Sequence, residues 1–295
     1  MLLIVGTVPD PSLPLLHGRV RLKNRELRVE NHRLAVGRGT PALAAAATAT
    51  LTQLGLHEVF VILAGDIGQG KGSRAVYQYL VTTLGHLSVD VLVFHYLQPD
   101  VDWHNKVLFA VDEMPRRPRL IADAGFMYAA KMSGQATAYD IFTPDRGELA
   151  FLADESAPHP FYTRGFLLHD HHSVADLVQQ AYAHGDAPRW LVVKGETDYI
   201  ADSGRIVASI AEPHWEPMEA IGGTGDSLTG ILAALCAAQH DPLDACLLAA
   251  LTNRWIGYIA RPTPATQIAE FMDVLPEALV EAQRAGKGRF KHGEG

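Results

Sequence analysis

The chain has little sulfur chemistry at its disposal: of its 295 residues only two are cysteine, Cys236 and Cys246. Both lie in Ala- and Leu-rich stretches where a free thiol behaves as a small buried hydrophobe, which argues against a disulfide framework or a cysteine-ligated metal. Long apolar runs are also missing. No segment reaches the ~18 consecutive apolar residues that a spanning helix needs, so no membrane partner is expected. The opening MLLIVGTVPDP lacks the basic region and small-residue cleavage pattern of a secretory signal, and a cytoplasmic location is expected. Positive charge is in deficit, with 25 Lys plus Arg against 33 Asp plus Glu and a net charge of -8. Such a balance argues against a nucleic-acid binder that relies on phosphate contacts, so any phosphate-bearing ligand must meet a local site.

What is present is the composition of a globular protein, with 48% hydrophobic and 20% charged residues. Neither an internal repeat nor a linker divides the chain, and residues 1–295 are expected to form one domain. From about residue 56, short apolar runs alternate with amphipathic stretches of helical length. EVFVILAGD (58–66), VDVLVFHYL (89–97), RLIADAG (119–125) and RWLVVKG (189–195) read as strands, and SRAVYQYLVTTL as a helix. This rhythm predicts an α/β fold with a mostly parallel sheet covered on both faces. Before residue 36 the pattern changes. GRVRLKNRELRVENHRLAV (18–36) alternates with period two, as a half-solvated antiparallel strand pair would, so residues 1–36 are expected to form an edge flap. After Pro262 an amphipathic helix returns around QIAEFMDVLPEALVEAQ, and residues 284–295 are expected to be a frayed tail.

Three stretches carry chemistry. In AIGGTGDSLTGILAALCAAQ (220–239), Leu228, Ile231, Leu232, Leu235 and Cys236 share one helical face, predicting a helix over 227–239 that is preceded by a glycine loop, Gly222 to Gly225. Unpartnered N–H groups at a helix N-terminus make an anion site, and phosphate fits it. Asp226 then either caps the helix or acts on a hydroxyl beside the phosphate. In IFTPDRGELAFL (141–152), Asp145 and Glu148 stand one helical turn apart and could organise Mg²⁺ through water, or else complement the helix dipole. In VVKGETDYIADSGRIV (192–207), Lys194 and Gly195 close a buried strand where open α/β sheets bind ligands, with a solvated lysine as the alternative. The DSGR segment reads as a hairpin turn. HDHHS (169–173) suits a polar helix entrance, and MPRRPR (114–119) a solvated connection.

Together and in this order, DAGFM (123–127), TPDRGE (143–148), the strand ending in Lys194-Gly195, GGTGD (222–226) and LPEAL (275–279) resemble the ribokinase-like superfamily, and within it the ADP- or ATP-dependent NAD(P)H-hydrate dehydratases. The resemblance is best over residues 119–281. It implies a three-layer α/β/α sandwich with a mostly parallel central sheet. Two departures stand out: Asp145 occupies the family's histidine position, and LLAALTNRWIGYIA (247–260) lacks the family's H-G-x-A-G-D string. VGRGTPALAAAATATLTQLGL and the Gly68-x-Gly70-x-Gly72 turn are closer to the sugar-kinase layout.

What the resemblance implies is an enzyme of metabolite repair that takes ATP or ADP with Mg²⁺ and restores hydrated NADH or NADPH. Asp226 would draw the proton from the hydrate's hydroxyl, with Gly223, Thr224 and Gly225 holding the phosphoryl group. Lys194, Gly195, Glu196, Thr197, Asp198 and Gly225 would contact the nucleotide. Asp145, Asp226, Gly68 and Gly70 would lie by the substrate, and Glu148 would hold Mg²⁺. Two alternatives stay open: a kinase that stops after phosphorylating a sugar or other alcohol, and a catalytically silent nucleotide-binding protein. A homo-oligomer is compatible with either reading.

Overall fold

The computed structural model describes residues 1–156 and 172–289. The chain divides into two compact units. The first comprises Met1–His17, Phe60–Gly195 and Tyr199–Ser209. The second comprises Gly18–Val59, Glu196–Asp198 and Ile210–Gly295.

In the first unit, β1 (Leu2–Val8), β5 (Val59–Gly65), β6 (Val91–His95), β7 (Arg119–Ala122), β8 (Ile141–Phe142), β9 (Trp190–Val193), β10 (Asp198–Asp202) and β11 (Arg205–Ile210) follow the order β11-β10-β9-β8-β7-β6-β1-β5. The pairs β1–β6, β6–β7, β7–β8 and β8–β9 are parallel. Every residue of β1, β6 and β9 is buried. That is the reason their sequences are continuous apolar runs rather than alternating ones. The helices are α2 (Lys71–Thr83), α3 (Val101–Asp112), α4 (Gly125–Met132), α5 (Arg146–Ala153) and α6 (Val174–Ala183). Past β9 the chain reverses: β10 pairs antiparallel with it, and Ser203 and Gly204, both at positive φ, make the expected hairpin turn. Buried Lys131 of α4 donates to the carbonyls of Phe151 and Asp154 and thereby caps the C-terminus of α5.

In the second unit, the period-two region forms three strands rather than a pair: β2 (Leu16–Lys23), β3 (Glu26–Val29) and β4 (His32–Ala35), all antiparallel. Asn24 and Arg25, both at positive φ, turn β2 into β3, and Glu30 at φ 51° turns β3 into β4. Turns made without glycine left no mark in the alternation. Helices α1 (Thr40–Gln53), α7 (Thr224–Ala237), α8 (Pro242–Ala260) and α9 (Ile268–Arg289) pack on one another. Helix α1 is alanine-rich because α7 comes very close: a Cβ at Gly230 would stand 2.2 Å from the Leu43 carbonyl oxygen. Both cysteines are buried, and neither is in a disulfide.

Among the described residues, no helix is long and apolar enough to cross a membrane. His169, Asp170 and residues 290–295 lie outside the described residues; Ser173 is described and caps α6 through a reciprocal box with Asp176.

Candidate active site

In the second unit the feature that matters is the start of α7. It begins three residues earlier than the apolar stripe predicts, because Gly223 at φ 105° is the N-cap and lets Thr224, Gly225 and Asp226 enter the first turn. A side chain at Gly223 would meet Ile268 Cγ1 at 2.7 Å and the backbone of Gly37 and Arg38 at 3.1 and 3.2 Å, so two glycine-rich turns lie against each other. Asp226 is therefore not the cap. It is the third helical residue, buried, and its Oδ2 accepts the Gly39 N–H at 2.6 Å. Gly39 is in turn the N-cap of α1, so the positive ends of two helices converge on this carboxylate. The first-turn N–H groups of Thr224 and Gly225 have no intrahelical acceptor, which is the geometry of an anion cradle.

The loop after β9 leads into the same unit. Arg254 of α8, 8% exposed, gives its Nε to Asp198 Oδ2 at 2.8 Å, one terminal nitrogen to the Glu196 carbonyl at 2.6 Å and the other to the Ala211 carbonyl at 2.7 Å. Asp198 is thus held inside the protein, while Gly195 and Glu196 are exposed and Thr197 is half-buried.

In the first unit, the polar side chains gather at the carboxyl ends of adjacent parallel strands, where open α/β sheets hold ligands. Asp123 follows β7 and is 1% exposed; its Oδ1 accepts Lys194 Nζ and the Ala124 N–H, both at 2.8 Å. Lys194 is therefore an ion-paired lysine and not a solvated one. His95 ends β6, fully buried, with Nε2 3.9 Å from Asp123 Oδ2. The next two corners are strained: Tyr96 has φ 46° and Ala124 φ 51°. Strain of this kind persists where the surroundings hold it, and it gathers at functional sites. The Tyr96 carbonyl accepts a hydrogen bond from the Thr7 hydroxyl.

Asp145 is the N-cap of α5 and forms a reciprocal capping box with Glu148: Asp145 Oδ1 accepts the Glu148 N–H at 2.7 Å, and Glu148 Oε2 accepts the Asp145 N–H at 2.8 Å. Desolvation raises the Glu148 carboxyl above the usual range; Lys194 opposes the shift, while Asp123 and Asp145 add to it. The same three carboxylates, after desolvation, raise the Tyr128 hydroxyl. Asp123, Asp145, Glu148, Lys194 and Tyr128 thus form one electrostatic neighbourhood. The glycine turn at 66–73 is a closed unit instead. Asp66 Oδ1 accepts the N–H groups of Gly68, Gln69 and Gly70 within 2.9–3.0 Å, so these donors are already occupied.

The motifs do not mark Asp123, His95, Gly39 or Arg254 as site residues. Asp123 and Gly39 stand inside the recognisable strings DAGFM and VGRGTP. His95 and Arg254 carried no local pattern, since each gains its meaning from partners far along the chain.

The class is defined by this arrangement, an α/β fold with polar ends on a mostly parallel sheet and a glycine turn feeding an aspartate at a helix N-terminus: the ribokinase-like fold. A solved structure with this fold, the ADP/ATP-dependent NAD(P)H-hydrate dehydratase of Bacillus subtilis co-crystallized with ATP/Mg²⁺ and soaked with CoA, aligns with a TM-score of 0.56 at 17% identity, over 95% of this chain and 91% of that one. The family model described as NAD(P)H-hydrate dehydratase matches residues 98–275, and the chain belongs to that family. An uncharacterized protein of Methanocaldococcus jannaschii is 40% identical over 231 residues, 78% of this chain and 95% of that protein. The ADP-dependent (S)-NAD(P)H-hydrate dehydratase of Cenarchaeum symbiosum is 28% identical over 164 residues, covering 55% of this chain and 52% of its own length. The chain thus spans about half of that named relative.

Proposed function

We propose that the protein is a nucleotide-dependent dehydratase that repairs hydrated NADH or NADPH. The observation that supports this best is Asp226, a carboxylate fixed by the Gly39 N–H in the first turn of α7, beside backbone donors suited to a phosphoryl group. In this reading Asp226 takes the proton from the hydrate's hydroxyl as that oxygen attacks the terminal phosphoryl group of the nucleotide. Thr224 and Gly225 stabilise the charge on the transferring oxygens through their N–H groups. The carbon–oxygen bond then breaks, phosphate leaves, and loss of an adjacent ring proton restores the dihydronicotinamide.

The exposed loop residues Gly195 and Glu196, with Thr197, are offered to the nucleotide, and relatives named for ADP or ATP dependence support that class of co-substrate. Lys194 and Asp198 act on this loop through their internal ion pairs rather than by reaching out of it. The residues present fit a magnesium ion held through water: Glu148, whose Oε2 accepts the Asp145 N–H, would hold it, and such an ion would supply charge neutralisation for the phosphates. Asp145 serves the substrate side through its place beside Glu148.

The test is incubation with hydrated NADH, Mg²⁺ and either ATP or ADP, following the return of dihydronicotinamide absorbance. Recovery with one of the nucleotides is expected. Its absence with both, from folded protein, rejects the reading, and formation of a stable phosphorylated alcohol in a parallel screen would make the protein a kinase.

A further inference from the structure

The three-stranded meander of the second unit carries a feature that the proposed reaction does not use. Its register places Arg21 of β2 opposite Arg28 of β3, and Arg28 opposite Arg33 of β4. The alternate positions Leu22, Leu27 and Leu34 form the neighbouring rung on the opposite face, where Leu27 and Leu34 are buried. Three guanidinium groups therefore share one face in a single row across the strands. Neighbouring strands lie about 5 Å apart, so the row spans roughly 10 Å.

Like charges directly opposite each other in a sheet are destabilising. In a chain of net charge -8 there is no shortage of carboxylates that could relieve them. Yet none of the three arginines is in an ion pair among the described residues, and the central one, Arg28, has its Nε buried without a hydrogen-bond partner. The adjacent basic side chains are engaged elsewhere: Arg19 donates to the His57 carbonyl, Arg25 pairs with Asp273, and Lys23 faces Glu26 across the strands. The cost of this row is best explained by an anion that it receives.

We infer that the Arg21–Arg28–Arg33 row is a binding site for a small polyanion, a molecule bearing a diphosphate or two nearby phosphates. Guanidinium groups offer paired donors that match phosphate oxygens, and three of them in a row about 10 Å long suit one compact group. The row is too short, and the chain too acidic, for a nucleic-acid track. Under the proposed function, on which this choice of source rests, the diphosphate belongs to the hydrated dinucleotide substrate. The anion site itself does not depend on that reading.

Direct binding separates the two. Calorimetry with inorganic pyrophosphate on the full chain should show binding that weakens as salt rises. Arg28→Gln and, separately, Arg33→Gln at the edge strand should each lower that affinity by roughly tenfold or more, one lost charged contact being worth at least that much. The melting temperature of the unliganded variants should hold or rise as repulsion is relieved. NADPH should displace pyrophosphate; failure to do so overturns the dinucleotide as the source. Absence of pyrophosphate binding by the wild-type protein, equal binding by folded variants, or a preference for duplex DNA over pyrophosphate overturns the site.

Discussion

Replacing Arg254 with methionine perturbs the loop after β9 in a way that the structure makes calculable. Methionine keeps much of the aliphatic volume but removes three interactions at once: the 2.8 Å ion pair to Asp198 and the donors to the Glu196 and Ala211 carbonyls. Asp198, 4% exposed, is then a buried carboxylate without its cation. Breaking a buried pair from one side costs about 3–5 kcal/mol, because the remaining charge stays desolvated. For a protein of this size that corresponds to roughly 10 °C in melting temperature. Calorimetric melting checks the stability, and nucleotide titration of the folded fraction checks the loop. Nucleotide affinity should fall together with stability, since Glu196 loses its anchor. Arg254→Lys should recover part of the stability but little of the affinity, because one ammonium cannot serve all three acceptors. The double variant Arg254→Met with Asp198→Asn should be more stable than Arg254→Met alone. A loss below about 1 kcal/mol, with unchanged nucleotide binding, would refute this account of the loop.

Two further perturbations test the packing beneath the site. Gly230→Ala adds a Cβ at 2.2 Å from the Leu43 carbonyl oxygen, so α1 and α7 must separate; an overpacking cost of about 1–3 kcal/mol is expected in denaturant unfolding, and a neutral result would mean that the two helices are not held at that distance. His104 is buried between the Tyr139 hydroxyl and the Ser133 hydroxyl, and desolvation lowers its pKa to about 4. The unfolded chain then binds the extra proton between the ordinary value of 6.5 and about 4, so stability from this group is complete above 6.5 and is lost as pH falls through that window. The slope of stability against pH over this range should flatten in His104→Gln; an unchanged slope would remove His104 as its source.

The parallel sheet was legible because burial on both faces writes continuous apolar runs, and RWLVVKG or VDVLVFHYL can hardly be read otherwise. MLLIVGTV obeys the same rule, yet the alternation that follows it draws residues 1–36 together as an expected edge flap; in the structure Leu2–Val8 is instead β1, buried throughout and paired in parallel with β6. The apolar stripe puts the start of α7 three residues too late for a related reason. An apolar stripe reports where a helix is buried, whereas its first turn is set by Gly223, whose positive φ no periodicity reveals. The motif strings located Asp226, Lys194, Asp145 and Glu148, but not what each side chain touches. The Asp123–Lys194 pair joins residues 71 apart, and Arg254 reaches Asp198 across 56. Only the fold brings such partners together.

The central claim is that Asp226 is a base and not a structural anchor, and turnover of hydrated NADH by Asp226→Asn tests it most directly. Asparagine keeps an oxygen to accept the Gly39 N–H and nearly the same volume, so the first turn of α7 and the melting temperature should be retained. It cannot take the hydroxyl proton. With Mg²⁺ and the nucleotide that supports wild-type turnover, the rate should fall by roughly 10² to 10⁴ while nucleotide affinity holds. A folded Asp226→Asn protein that turns over at the wild-type rate would contradict the account.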